Sequence, residues 1–254
     1  MSTVANLFDL SGRTAVVTGA NTGIGQAIAA ALAEAGAAIV AVGRSSMEET
    51  EALVKQAGSR FHVIKADLGT IEPVKGIVAE TTQTFGGLDI LVNNAGIIRR
   101  ADALDFTEED WDAVIDVNLK TAFFLSQAAG RHMVEKGKGK IINIASLLSF
   151  QGGIRIPSYT ASKSGLAGLT KLLACEWAGK GVNVNAIAPG YFVTNNTTAL
   201  REDPDRNAAI LARIPAGRWG TPSELAGAAV FLASPASDYV HGTVLPVDGG
   251  WLAR

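Results

Sequence analysis

Short apolar segments recur along the chain, and longer stretches with helical spacing separate them. The apolar segments are rich in Val and Ile, and we predict strands at residues 14–18, 38–42, 61–65, 90–93, 140–145, 182–187 and 243–247. Apolar side chains on both faces indicate a parallel sheet covered by helices on both sides, with right-handed crossovers. The pattern therefore predicts an α/β fold: a single doubly wound domain of about seven strands that spans residues 1–254.

Two segments leave room for other interpretations. Residues 27–42 are so rich in Ala, Ile and Val that a hydropathy window would mark them as a membrane span, but Glu34 and Gly36 interrupt the run. Gly36 is typical of the residue that ends a helix, so we predict a helix that ends at Ala35 and a separate strand after it. Residues 190–207 are polar and contain Pro204. They predict a long loop that could serve as a lid over a ligand.

Composition excludes several classes of protein. The 254 residues are 48% hydrophobic, and a net charge of -2 gives no basic field for nucleic acid or for an acidic membrane surface. The single cysteine, Cys175, excludes an internal disulfide, and its apolar helical context predicts a buried packing position. The first residues lack the features of a secretion signal, so we expect a cytoplasmic protein. The three histidines have no metal-ligand spacing, so we expect no catalytic metal.

A glycine-rich turn follows the first predicted strand. Gly19 permits a tight turn, and Gly23 and Gly25 allow close approach between the backbone, a phosphate group and the sheet. The next helix would point its N-terminus at that phosphate. The turn, which also contains Asn21, Thr22 and Ile24, predicts a binding site for the pyrophosphate of a dinucleotide.

Three later residues suit proton transfer to a carbonyl oxygen. Tyr159 and Lys163 are four residues apart, so a helix would present them on one face. A lysine charge, together with a positive nicotinamide ring, should lower the pKa of the tyrosine hydroxyl from its ordinary value of about 10. Ser146 follows a predicted strand at the edge where open parallel sheets bind ligands, and its hydroxyl can hold the reacting oxygen.

These motifs, in this order, resemble the short-chain dehydrogenase/reductase family over essentially the whole chain. The resemblance rests on Thr-Gly-x-x-x-Gly-x-Gly at residues 18–25, Asn93-Asn94-Ala95-Gly96, Asn118, Ser146, Tyr159-x-x-x-Lys163, and Pro189-Gly190 with Thr194. It implies a hydride-transfer enzyme with Asn118, Ser146, Tyr159 and Lys163 as catalytic residues. In that family Asn118 would position a water that connects Lys163 to solvent, and Lys163 would also bind the nicotinamide ribose.

The resemblance also implies further contacts to the cofactor. These would come from Asp67 and Leu68 near the adenine, from Asn94, Ala95 and Gly96 near a ribose, and from Ile187, Pro189, Gly190, Phe192 and Thr194 near the nicotinamide. For Asp67 a helix N-cap is an equally good interpretation, because Asp is common where a strand leads into a helix.

The choice of cofactor depends on the end of the second strand. NAD enzymes place an acidic residue there, but this chain has Gly43 followed by Arg44, whose guanidinium suits the 2′-phosphate of NADP. The local chemistry therefore favours NADP. Further motifs, including residues 149–155 and 213–220, resemble the family members that act on deoxy sugar acids from pectin and uronate breakdown. Those relatives generally use NAD.

A sugar-acid substrate needs a cation for its carboxylate. The candidates are Arg155, four residues before Tyr159, and more weakly Arg99, Arg100 and Asn196 with its neighbour Asn195. The runner-up function is a 3-oxoacyl carrier-protein reductase, and a nucleotide-binding regulatory protein without turnover is a third possibility. Trp251 and Leu252 are costly to expose and suggest a subunit contact. The family resemblance implies a homotetramer.

Overall fold

A computed structural model describes residues 4–254 and contains one parallel sheet of seven strands in the order β3-β2-β1-β4-β5-β6-β7. The predicted doubly wound α/β fold is confirmed, and every predicted strand is present with ends within two residues. The strands are β1 (Thr14–Thr18), β2 (Ala38–Gly43), β3 (Phe61–Lys65), β4 (Ile90–Asn93), β5 (Gly139–Ile144), β6 (Val182–Pro189) and β7 (Val244–Val247).

Helices cover both faces of this sheet, and a buried apolar cluster fills each interface. The helices are α1 (Gly23–Glu34), α2 (Glu48–Gln56), α3 (Val74–Phe85), α4 (Glu108–Ile115), α5 (Ala122–Lys136), α6 (Pro157–Trp177), α7 (Thr198–Glu202), α8 (Pro204–Arg213) and α9 (Pro222–Ala233). Helices α1, α2 and α9 contribute to one cluster, and α3, α5 and α6 contribute to the other. Alternate residues of each strand enter opposite clusters, which explains why the strands are apolar on both faces.

The strand order reverses beside β1, which pairs with both β2 and β4. The chain first builds the sheet outward through β2 and β3 and then returns to add β4 to β7 on the other side. The loops after β1 and β4 therefore leave in opposite directions and open a crevice at the carboxyl edge of the sheet. This crevice receives the glycine-rich turn and the end of β5.

The apolar segment 27–42 divides as predicted. Helix α1 ends at Glu34, Ala35 caps it, and Gly36 has a φ of 104°, the left-handed conformation in which glycine is favoured. No helix within residues 4–254 is long and apolar enough to cross a membrane.

The structure corrects the interpretation of residues 190–207 as a loop. A single turn of 3₁₀-helix covers Asn195–Thr197, and α7 and the first residues of α8 follow it. The Asp203 side chain accepts hydrogen bonds from the backbone N–H groups of Asp205 and Arg206, and Pro204 occupies the first turn of α8. An Asp-Pro pair of this kind marks the start of a helix. The predicted loop is wrong because the polar composition of the segment masks this signal.

Two side chains differ from their predicted surroundings. Cys175 is exposed, because the buried stripe of α6 passes through Leu173 and Ala174 and turns away from the next residue. Trp251 is only 4% exposed, and residues of its own chain cover it. Trp251 therefore needs no subunit contact to cover it, and the contact suggested by Trp251 and Leu252 stays a prediction.

A buried carboxylate joins β1, β4 and α5 at the edge of the sheet opposite the crevice. Asp89 accepts hydrogen bonds from the Thr14 N–H at 3.0 Å and from Lys136 Nζ at 2.8 Å, and Arg13 lies 3.5 Å away. Burial would raise the pKa of Asp89, but the hydrogen bonds and positive charges outweigh that effect and hold the pKa below its ordinary value.

We predict that Asp89→Asn lowers the free energy of unfolding by about 1–3 kcal/mol at neutral pH, because a charged acceptor of three donors is lost. A carboxyl group with a depressed pKa stabilises the fold above its ordinary pKa, and this contribution disappears as the pH falls through the folded-state value. The difference between parent and variant should therefore shrink in acid.

Urea unfolding at neutral pH and at roughly pH 3 measures this difference. Asp112→Asn, at an exposed position of α4, is the matched control and should change stability little. A deficit of Asp89→Asn that stays constant between the two pH values would contradict the electrostatic account.

Candidate active site

A cleft of about 320 Å³ opens at the carboxyl edge of the sheet, where the strand order reverses. Its walls come from the glycine-rich turn, from the segments after β4, β5 and β6, and from the first turns of α6. Most predicted site residues line it: Gly19, Asn21, Thr22, Gly23, Ile24, Gly25, Asn94, Ala95, Gly96, Ser146, Tyr159, Lys163, Pro189, Gly190, Phe192, Thr194 and Asn196. The structure thus brings together motifs that are far apart in the sequence.

The glycine-rich turn depends on two special conformations and one close contact. Gly19 and Gly23 have φ values of 63° and 58°, which side-chain-bearing residues rarely adopt. A Cβ atom at Gly25 would collide with the carbonyl of Gly19 and with the side chain of Asn94. Only glycine therefore lets α1 begin this close to β1.

The start of α1 fits a phosphate group. Thr22 is the N-cap residue, but its side chain makes no capping hydrogen bond, and the first turn of α1 contains no acidic residue. The N–H groups at this end thus have no side-chain acceptor among the described residues, and the residues that carry them line the cleft. Unpaired N–H groups and the positive end of the helix dipole form an anion site.

The segment after β4 is fixed against the glycine-rich turn. Asn94 Nδ2 donates to the carbonyl oxygens of Thr18 and Gly19, at 2.9 and 3.1 Å. In return, Thr18 Oγ1 accepts the N–H groups of Asn94 and Ala95, at 3.0 and 2.9 Å. The Asn-Ala-Gly motif is therefore held as one wall of the cleft, and the Thr18 hydroxyl has a structural task that sequence analysis did not assign.

Ser146 and Tyr159 meet across the cleft. Ser146 follows β5, and its Oγ accepts the Leu148 N–H at 3.2 Å, which orients the hydroxyl. The Ser146 hydroxyl also acts on the Tyr159 phenol and lowers its pKa. Tyr159 lies in the first turn of α6, directly after Ser158, which is buried. Two hydroxyl groups therefore converge where a carbonyl oxygen could bind both.

The groups of the protein do not by themselves produce the expected lowering of the Tyr159 pKa. Burial raises the pKa of Tyr159, and the hydrogen bond from Ser146 and the charge of Arg100 oppose that effect only in part. Lys163 Nζ lies 5.6 Å from the centre of the Tyr159 ring and donates instead to the carbonyl of Ile144, at 2.6 Å. The lysine is thus directed to the end of β5, and desolvation dominates the pKa of the phenol.

Lys163 itself is almost fully buried. Desolvation lowers its pKa to about 8, so the ammonium form still predominates at neutral pH. Its position one helical turn after Tyr159 confirms the predicted helix, since both side chains of α6 line the same cleft.

Asn118 lies beneath the cleft rather than in its wall. It belongs to a turn of π-helix, Asp116–Thr121, between α4 and α5, which are otherwise continuous. Its Oδ1 accepts the Ile97 N–H at 2.8 Å, and its Nδ2 donates to the Ile97 carbonyl at 2.9 Å and to Ser162 Oγ at 3.4 Å. The extra residue of a π turn reorients side chains, and such turns are frequent at functional sites.

The residues predicted near the adenosine lie outside this cleft. Arg44 follows β2 and Asp67 follows β3, and because these strands are neighbours, the two side chains form an ion pair of 3.7 Å. Asp67 also accepts the Gly69 N–H, and α3 begins only at Val74, so the alternative of a helix N-cap is wrong. Leu68 and Ile187 are buried in the apolar clusters and expose no side chain to the cleft.

The three candidate arginines differ in their partners. Arg99 pairs with Asp110 at 3.1 Å, and Arg155 pairs with Asp102 at 3.0 Å. Arg155 also has a φ of 64° and accepts the Ala101 N–H through its carbonyl, so its backbone supports the loop. Arg100 makes no ion pair with any carboxylate in residues 4–254, and its charge acts on Tyr159.

Sequence analysis missed the role of Thr197, which lines the cleft. Its hydroxyl donates to the Phe192 carbonyl at 2.7 Å and accepts the Thr194 N–H at 3.1 Å, so it fixes the turn after β6. The signal was present, since two threonines three residues apart form a capping box at the start of a helix.

Comparisons with known proteins agree with this geometry. A family model described as enoyl-(acyl carrier protein) reductase matches residues 19–252. The 2-dehydro-3-deoxy-D-gluconate 5-dehydrogenase of Escherichia coli K12 is 57% identical over 252 residues, which are 99% of this chain and 100% of the relative.

Two solved structures extend the similarity to the backbone. A candidate 2-deoxy-D-gluconate 3-dehydrogenase from Agrobacterium tumefaciens with bound NADP is 60% identical, with a TM-score of 0.93 over 98% of this chain and 100% of the other. A gluconate 5-dehydrogenase from Burkholderia cenocepacia J2315 in complex with NADP and tartrate is 42% identical, with a TM-score of 0.94 over 99% and 100%. The chain is an oxidoreductase that belongs to the short-chain dehydrogenase/reductase family.

Proposed function

We propose that this protein transfers a hydride between NAD(P) and a keto or hydroxyl carbon of a deoxy sugar acid, of the 2-dehydro-3-deoxy-D-gluconate type. The observation that carries the proposal is the convergence of Ser146, Tyr159 and Lys163 in a cleft whose other wall is a phosphate-fitting helix start. The similarity to a sugar-acid dehydrogenase covers essentially the whole chain and supports the substrate class.

The proposed mechanism gives each residue a separate task. A bound nicotinamide cofactor supplies or accepts the hydride. Ser146 holds the substrate oxygen, and Tyr159 donates a proton to that oxygen in reduction or removes one in oxidation. Lys163 keeps a positive charge one helical turn away, which stabilises the phenolate form of Tyr159. Asn118 fixes the Ile97 backbone in the cleft wall, and we propose that it also positions the water of a proton relay.

We propose NADP as the preferred form of the cofactor. Arg44 and Asp67 are both more than half exposed, so their ion pair contributes little and the guanidinium remains available. A 2′-phosphate carries more charge than the Asp67 carboxylate and matches the planar donors of arginine. Both related structures described above contain NADP, which supports this choice.

We propose Arg100 as the residue that binds the substrate carboxylate, with Asn196 as a polar partner. Arg99 and Arg155 are less suited, since each would have to leave an aspartate. Arg100 is free of such a partner among the described residues, and its charge reaches the Tyr159 hydroxyl. A cation that lowers the pKa of the reacting hydroxyl would also favour a small anionic substrate.

We also propose that the protein acts as a cytoplasmic homotetramer in uronate or pectin breakdown. Apolar side chains on the loop between Ser146 and Tyr159 support an assembly, because Phe150 and Ile154 are 52% and 67% exposed. Light scattering coupled to gel filtration tests the tetramer.

The direct test of function is a substrate panel with NADH and NADPH. It includes 2-dehydro-3-deoxy-D-gluconate, 2-deoxy-D-gluconate, a neutral ketose and an acetoacetyl thioester. We expect turnover of the deoxy sugar acids at a kcat/KM far above that of the thioester. Turnover of the thioester alone would contradict the proposal and favour an acyl reductase.

We predict that Tyr159→Phe lowers kcat for the sugar acid by about a hundred-fold or more, because the variant loses only the hydroxyl that transfers the proton. Cofactor affinity, measured by fluorescence titration, should stay close to that of the parent. Tyr239→Phe is the matched control, since Tyr239 is 99% exposed. Near-normal turnover by Tyr159→Phe would exclude Tyr159 as the proton donor.

We predict that Arg44→Ala lowers kcat/KM for NADPH by about ten- to a hundred-fold and leaves NADH within about two-fold, since a charge-assisted contact is worth about 1.5–3 kcal/mol. The parallel control is Arg131→Ala, at an exposed position on α5 away from the cleft. If the ratio of the two kcat/KM values does not change, Arg44 is only a surface charge.

We predict that Arg100→Ala lowers kcat/KM for the deoxy sugar acid at least about ten-fold, because a charged hydrogen bond to the carboxylate is lost. The neutral ketose should lose much less. Arg99→Ala and Arg155→Ala serve as matched controls with smaller losses. A larger loss for Arg155→Ala, confined to the anionic substrate, would instead assign the carboxylate to Arg155.

A further inference from the structure

The last seven residues, 248–254, form a compact C-terminal segment that is fastened to the end of α8. Both carboxylate oxygens of Asp248 accept backbone N–H groups, from Gly250 at 2.8 Å and from Leu252 at 2.9 Å. The Gly249 carbonyl accepts the Ala216 N–H at 3.0 Å. Gly249 has a φ of 64°, and a Cβ atom there would lie 3.0 Å from Ile214. The segment therefore fits closely against the residues that follow α8.

Trp251 connects this segment to two further parts of the molecule. Its Nε1 donates to Gln151 Oε1 at 3.1 Å, and its ring lies under the Arg213 guanidinium, 4.1 Å from the ring centre. Arg213 Nη2 donates to the same Gln151 oxygen at 3.0 Å. One amide oxygen thus joins the C-terminal segment, the last residue of α8 and the loop between Ser146 and Tyr159.

Arg254 completes the attachment to α8. A helix ends with carbonyl groups that have no partner inside the helix. The Arg254 guanidinium donates to two of these, the carbonyls of Ala212 and Arg213, at 2.5 and 3.2 Å. The positive charge also suits the negative end of the helix dipole.

An apolar cluster links the same elements to the reacting groups. Leu147, Ile210, Ile214 and Trp251 form one buried cluster. Leu147 directly follows Ser146, and Ile210 lies on α8. The residues of the 3₁₀ turn line the cleft, and the short helix α7 connects that turn to α8. The position of α8 therefore determines where that wall of the cleft lies relative to Ser146.

We propose that Trp251 is a positioning residue for the substrate: through its hydrogen bond to Gln151 and its packing under Arg213, it holds α7 and α8 at the distance from Ser146 that admits a small polyhydroxy acid. The proposal rests on the proposed function, because it concerns the substrate side of the same cleft. The partners of Trp251 are Gln151, Arg213 and Tyr191 rather than the glycine-rich turn or Arg44, so we expect the phosphate end of the cofactor to bind without it.

The test uses the full chain with Trp251→Phe, which keeps an aromatic ring but removes the N–H donor. We expect the KM for the deoxy sugar acid to rise about three- to ten-fold, because one partly buried hydrogen bond is lost. The cofactor dissociation constant and the kcat should change less than about two-fold. Gln151→Leu should give at least as large a rise, because it also removes the acceptor of Arg213. The double variant should be no worse than Gln151→Leu, because that variant already lacks the Trp251 hydrogen bond.

Trp111→Phe on α4 is the matched control and should leave the KM unchanged. A thermal unfolding scan of each variant identifies loss of folding; if Trp251→Phe does not fold, Gln151→Leu alone decides the kinetic test. An unchanged substrate KM, or an equal loss of cofactor and substrate affinity, overturns the proposal.

A second readout does not require turnover. Trypsin cuts after arginine, and Arg201, Arg206 and Arg213 lie on α7 and α8. We expect the cofactor-free Trp251→Phe protein to be cut in this region several-fold faster than the parent and the Trp111→Phe control. If the parent turns over no sugar acid, the proposed function fails, whereas equal cutting rates refute the attachment of α8 itself.

Discussion

Lys163 carries a positive charge inside the protein, where an ammonium group is costly unless a polar group replaces its lost hydration. The Ile144 carbonyl supplies that replacement with a hydrogen bond of 2.6 Å. Ile144 is the last residue of β5, so the bond joins α6 to the carboxyl edge of the sheet. Tyr159 lies one turn earlier on α6, and this attachment therefore brings its hydroxyl to Ser146. Because burial lowers the pKa of Lys163 only to about 8, the site keeps its cation at neutral pH.

The wall of the cleft that the glycine-rich turn forms depends on close packing between backbone segments rather than on charge. Gly25 lets α1 begin against the Gly19 carbonyl, and Asn94 joins that turn to the segment after β4. The start of α1 and the end of β5 then share one crevice, because the strand order reverses between β1 and β4. The proposed cofactor and substrate sites are thus adjacent as a consequence of topology.

Sequence predicted those features that depend on local pattern. Apolar periodicity located every strand, and the spacing of Tyr159 and Lys163 placed both on one helix face. Features that depend on distant partners were not predictable. Arg155 looks like a substrate residue until its pairing with Asp102 is known, and the direction of the Lys163 side chain depends on a carbonyl 19 residues away. The burial of Trp251 could not be predicted either, since the residues that bury it are Arg213, Tyr191 and the apolar cluster of its own chain.

The central claim is that the buried charge of Lys163, completed by a bound oxidised cofactor, converts Tyr159 from a weak acid into an effective proton carrier. Ultraviolet titration of the tyrosinate signal, taken as parent minus Tyr159→Phe, measures the pKa of this one hydroxyl with and without the oxidised cofactor. The account predicts a pKa above the ordinary value of 10.0 in the free protein, where burial dominates, and a value below it in the complex. A pKa that is the same in both states, or that rises when the cofactor binds, would contradict the account.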